Sequence, residues 1–169
     1  PVEVTMNPGE RDRSRMAFRE EFGRYLEARL EYESGMYGEG VALSRMQKEL
    51  DLMKMMQDDP VLKLLQAEIY LLTDRKEKAC LILDEIRDRA LASRTENPKA
   101  YCMFQYLQVC LREDAEQRDS LIRLLQRHAS EGDSDLFYYL MLLRTDEALT
   151  QNPMTLLISM EQELSLIHI

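Results

Sequence analysis

Four of the five prolines in this chain directly follow Asn or Asp, as Asn7-Pro8, Asp59-Pro60, Asn97-Pro98 and Asn152-Pro153. A short polar side chain at the N-cap accepts a hydrogen bond from the free N–H groups of a first helical turn. Pro at the next position has no N–H to leave unsatisfied, and its φ is already helical. Each dipeptide is therefore a helix start, and Glu10, three residues beyond Asn7, completes a capping box. A chain punctuated in this way is predicted to be all-α.

Eight helices are expected. The first follows Asn7-Pro8 and carries Phe18, Phe22, Tyr25, Leu26, Leu30 and Tyr32 at three- and four-residue steps, until the glycines at 35, 38 and 40 break it. The second carries Val41, Leu43, Met46, Leu50, Leu52, Met53 and Met56 and stops at Asp58-Asp59. The third spans Pro60–Leu72 and the fourth Arg75–Ala92, with Thr73-Asp74 as the turn of a helical hairpin. A fifth runs from Pro98 to Leu111 and a sixth from Ala115 to His128. A seventh, opened by Ser134, extends through Leu149, and Asn152-Pro153 starts the eighth.

The two ends read differently from the middle. Val2-Glu3-Val4-Thr5 alternates like a half-buried strand, so residues 1–6 are expected to close a truncated upstream β domain. Leu164-Ser165-Leu166-Ile167-His168-Ile169 is the in-frame translation of a transposase adapter from sequencing libraries and is set aside as an artefact. Residues 7–163 are left as one helical-repeat domain. The composition of the whole chain, 45% apolar and 31% charged with no Trp, is that of a packed helical protein and not of a disordered chain.

Charge removes some functions. A net charge of -9 opposes attraction to phosphate backbones, so nucleic acid is not an expected partner. No apolar run reaches a membrane span, and membrane insertion is not expected. Cys80, Cys102 and Cys110 are odd in number and lie in apolar-periodic stretches. They read as buried thiols of a reducing compartment, which places the chain in the cytoplasm.

Pro60 and Pro98 lie 38 residues apart and Asp135 follows 37 later, each near the start of a helix pair. A period in that range is the mark of stacked repeats. Within the pair from Pro60 to Ala92, Ala67, Tyr70, Ala79 and Leu83 hold the spacing of small and aromatic packing positions, and this stretch resembles a tetratricopeptide repeat. The resemblance implies an α-solenoid of antiparallel helix pairs. The next pair departs from it, with Gln105, Gln108 and Gln117 where Ala, Tyr and Ala belong. The run from Leu136-Phe137-Tyr138-Tyr139-Leu140 through Asp146-Glu147-Ala148-Leu149 to Asn152-Pro153 is similar to a segment of large Clostridia proteins in a family whose function is unknown. That likeness implies a helical-repeat region of a bacterial protein.

No catalytic, cofactor or metal-binding residues are expected. His128 is the one histidine outside the adapter residues, so neither a His-based metal cluster nor a catalytic triad can be assembled. It sits in the last turn of a helix, where a cation suits the negative end. Glu20, Glu27 and Glu31 read as a solvated face paired with Arg24, since no Glu-x-x-His accompanies them. Met46, Met53, Met55 and Met56 read as core, with an adaptable peptide-binding surface as the other possibility. Tyr101, Tyr138 and Tyr139 are the candidate partner-binding residues, on the inner face of the repeats. The leading expectation is a protein interaction or scaffolding module that is not an enzyme and takes a protein or peptide partner. Two others are an architectural spacer without a ligand and the helical part of an enzyme whose catalytic residues lie elsewhere.

Overall fold

A computed structural model describes residues 7–112, 114–131 and 134–143. They are helical, as expected, but hold seven helices and not eight: α1 Pro8–Ser34, α2 Glu39–Met56, α3 Pro60–Leu72, α4 Lys76–Ala92, α5 Pro98–Arg112, α6 Ala115–Ser130 and α7 Ser134–Leu143. The expected strand at residues 2–5, the continuation of α7 to Leu149, the helix after Asn152-Pro153 and the adapter-like residues lie outside the described residues.

The Asx-Pro starts form as their chemistry requires. Asn7 Oδ1 accepts from the Glu10 N–H at 2.8 Å, and the Glu10 carboxylate accepts from the Asn7 N–H at 3.3 Å. Asp59 Oδ1 accepts from Val61 N–H at 2.9 Å, and Asn97 Oδ1 from Ala100 N–H at 3.2 Å. Gly35 ends α1 with φ of 70°, a left-handed conformation that costs a residue without Cβ little, and its N–H returns to the Glu31 carbonyl.

Helix α1 packs along α2 and α3 along α4 as antiparallel hairpins. Ala67 and Ala79 are wholly buried where α3 meets α4, so the two backbones approach closely, while Tyr70 is half-buried beneath Arg75 and Lys78. Helix α6 packs more extensively on α7 than on α5, so the α5–α6 pair is more open than the α3–α4 pair. Its glutamines stand where small residues would have let the helices close.

The period near 38 residues becomes a row of contacts. Asp59, Asn97 and Asp135 stand at the starts of α3, α5 and α7, which lie side by side. Asn97 Nδ2 donates to Asp59 Oδ1 at 3.3 Å, and Lys99, the second residue of α5, pairs with Asp135, the second residue of α7. The cap of α5 is thus tied to the cap of α3, and the first turn of α5 to the first turn of α7. Leu26, Leu50, Met53, Leu64, Leu65, Leu83, Met103, Leu107, Leu125 and Leu140 make a continuous core through all seven helices.

Candidate functional site

Two places on the molecule concentrate polar chemistry. The first is buried where α1 crosses α3 and α5. Arg29 is 5% exposed and Glu68 is 3% exposed. Tyr25 Oη donates to Glu68 Oε1 at 2.7 Å, Arg29 Nε lies 3.5 Å from Glu68 Oε2, and further Arg29 nitrogens reach Glu33 at 2.9 Å and the Tyr106 hydroxyl at 3.4 Å. Desolvation raises the Glu68 carboxyl above its ordinary value, against the pull of Arg29 and the Tyr25 hydroxyl. Desolvation would lower the Arg29 guanidinium, but Tyr106, Glu68 and Glu33 outweigh it and the group is held firmly charged. Tyr25, Tyr106 and Tyr139 are all raised well above 10, chiefly by burial.

A cavity of about 340 Å³ opens over this cluster, with Cys110, Leu107 and Leu71 in its wall. Cys110, expected to be buried, is instead exposed, though desolvation of its sulfur raises the thiol to about 11 against a hydrogen bond with Tyr106 that lowers it. Such a thiol is not a nucleophile at neutral pH. Cys102 is buried as expected, Cys80 is half-buried, and none of the three is in a disulfide.

The second place is an open groove over α5, between α4 and α6. Two adjoining cavities of about 690 and 270 Å³ share Gln105 and Gln117 as lining residues. Gln108 and Arg112 line one end, and Arg94, Tyr101, Arg123 and Arg127 the other. The Arg94 guanidinium lies 5.4 Å from the centre of the Tyr101 ring, a cation–π distance. The three glutamines that break the tetratricopeptide pattern all line this groove, with Gln108 itself largely buried.

The three candidate tyrosines are not brought together. Tyr101 lines the groove; Tyr138 is half-buried against the core and is not among the groove residues. Tyr139 is 1% exposed, its ring 5.0 Å from that of Tyr106 in an edge-on contact within the core. The methionines divide in the same way, with Met46 and Met53 fully buried and Met55 83% exposed. Arg24 pairs with Glu21 at 2.6 Å, not with Glu20 or Glu27, while Glu27 and Glu31 converge on Arg45.

Burial of Glu21, Arg29, Glu49 and Glu68 was not read from the sequence, which treats charge as solvated. A signal existed. Glu68 stands one turn beyond Leu64 and Leu65 on the apolar stripe of α3, and Arg29 one turn beyond Tyr25 on that of α1. Two opposite charges, each in apolar register on its own helix, are candidates for a buried pair.

Among the described residues, no helix is long and apolar enough to cross a membrane. No curated protein and no solved structure matches the chain. The model for the N-terminal part of a family of unknown function, DUF5717, matches residues 1–166, and the chain belongs to that family.

Proposed function

From that membership as a premise, we propose that this chain is a protein-interaction or scaffolding module, built from tetratricopeptide-like helix pairs, whose recognition surface is the groove over α5. The stacking is supported by the tied caps of α3 and α5 and by the fully buried Ala67 and Ala79. The inner-face location expected for the partner gives way to the outer groove because α1 already sends Tyr25 and Arg29 into contact with α3 and α5. The observation that carries the reading is the groove itself, where polar side chains occupy packing positions and the helices stay apart.

The test is affinity capture from the native cell with the intact chain and with a groove-filling Gln105→Trp variant that retains its circular dichroism. A defined partner held by the first and lost by the second supports the module. Equal recovery by both removes the groove from the function. The filled inner face also favours a second reading, an architectural spacer within a bacterial protein, and this predicts that no partner is captured at any bait concentration.

A further inference from the structure

We propose that the groove over α5 takes an extended acidic peptide, with Gln105 and Gln117 pairing with its backbone and Arg94, Arg112, Arg123 and Arg127 with its carboxylates. This rests on the interaction reading and adds the chemical class of the partner. The chain as a whole carries -9, yet the residues lining the groove include five arginines, Arg87, Arg94, Arg112, Arg123 and Arg127, against two carboxylates, Asp114 and Glu116. Positive charge is gathered in this groove against the sign of the molecule.

Most of that charge is available. Arg87 is neutralised by Asp84 at 3.1 Å. The other four have no carboxylate within ion-pair distance among the described residues: Arg94 lies over Tyr101, and Arg123 reaches only the Ser120 hydroxyl at 3.3 Å. Asp114 is occupied as the cap of α6, its Oδ1 accepting from Glu116 N–H at 3.0 Å and Gln117 N–H at 3.3 Å. An exposed guanidinium fork matches a carboxylate with two parallel hydrogen bonds. A glutamine amide offers one acceptor and two donors, the complement of a peptide group.

Length fits an extended segment. Tyr101 to Arg112 is eleven steps along α5, roughly 16 Å at the helical rise, which an extended chain covers with about five residues. A nucleic acid would find the same arginines but also the repulsion of the remaining surface over its greater length.

The deciding experiment is fluorescence anisotropy of the whole chain with three labelled short peptides: one of Glu, Gly and Ser, one with Lys in place of Glu, and one of Gly and Ser alone. The Glu peptide is expected to bind, to weaken as salt rises, and to lose about tenfold in affinity with Arg123→Glu/Arg127→Glu. Arg13→Glu/Arg15→Glu, on the exposed start of α1, should leave its binding unchanged. Binding of the Glu peptide that ignores the Arg123 and Arg127 changes would overturn the site. Equal binding of the neutral peptide, lost with Gln105→Trp, would overturn the acidic preference and leave the interaction module standing. Binding by none of the three overturns the proposal alone, because groove-dependent capture of a native partner tests the module independently.

Discussion

Glu49 and Glu21, each less than a tenth exposed, face each other between α1 and α2. A hydrogen shared with Glu21 is the first cause that raises the Glu49 carboxyl above 4.5, and desolvation adds to it. Glu21 Oε1 is a buried acceptor without a hydrogen-bond partner, so a donor on the Glu49 side chain would meet an unmet need. Because the folded value is raised, the folded chain binds more protons than the unfolded one as pH climbs from 4.5, so stability falls through that window. Glu49→Gln supplies a permanent donor and should raise stability by about 1 kcal/mol at neutral pH, with the gain shrinking towards pH 4.5. Urea midpoints of both proteins at the two pH values check this, and a gain independent of pH would sink it. For the Arg29–Glu68 pair, Arg29→Met leaves a buried carboxylate uncompensated and should cost roughly 3–5 kcal/mol, while Arg29→Met/Glu68→Leu recovers most of it. Denaturant melts of the single and double variants decide between that outcome and additive losses. Apolar register could mark Arg29 and Glu68 as charges on buried stripes, but neither pairing was legible, because each joins residues far apart in sequence and single-helix periodicity cannot say that a charge meets its partner in the core.

Helix starts, by contrast, are local chemistry, and Asn7, Asp59 and Asn97 cap the helices that the sequence assigns to them. What the sequence left out was that Asn97 also donates to Asp59, the cap one period upstream. Asn97→Ala removes both bonds and should cost about 1–2 kcal/mol. Asn97→Asp keeps an acceptor for Ala100 but sets a second carboxylate against Asp59, so it should destabilise despite being as good an N-cap residue. Thermal melts at neutral pH and near pH 3 separate the two effects, since protonation relieves the Asp variant and does nothing for the Ala variant. A loss in the Asp variant that persists at low pH would mean that the cap geometry, not the charge, was disturbed. The glutamines at 105, 108 and 117 show the same boundary of legibility. Their departure from the repeat pattern was visible, but that it would hold α6 away from α5 and open a groove depended on how helices dock.

Helices that touched only their neighbours along the chain would unfold piecemeal, because stability would be a sum of local and nearest-neighbour terms. This molecule adds contacts of longer reach: α1 holds α3 through Tyr25 and Glu68, meets α5 through Arg29 and Tyr106, and touches α7. Tyr25, Tyr106 and Tyr139 meet at that junction, each from a different helix and each raised well above 10 by burial. In the unfolded chain their hydroxyls ionise near 10, so above that pH the folded state binds more protons and stability falls as pH rises. The three tyrosines cannot ionise one at a time without exposing a shared junction. Alkaline titration should therefore show a step in tyrosinate absorbance that coincides with the loss of helical circular dichroism. Arg29→Met/Glu68→Leu, which cuts the link from α1 to α3 and α5, should split that step, with the α5–α7 end opening at lower pH than the α1–α4 end in hydrogen exchange. Ionisation of all the tyrosines before any helix is lost would show instead that the junction does not bind the helix pairs into one cooperative unit.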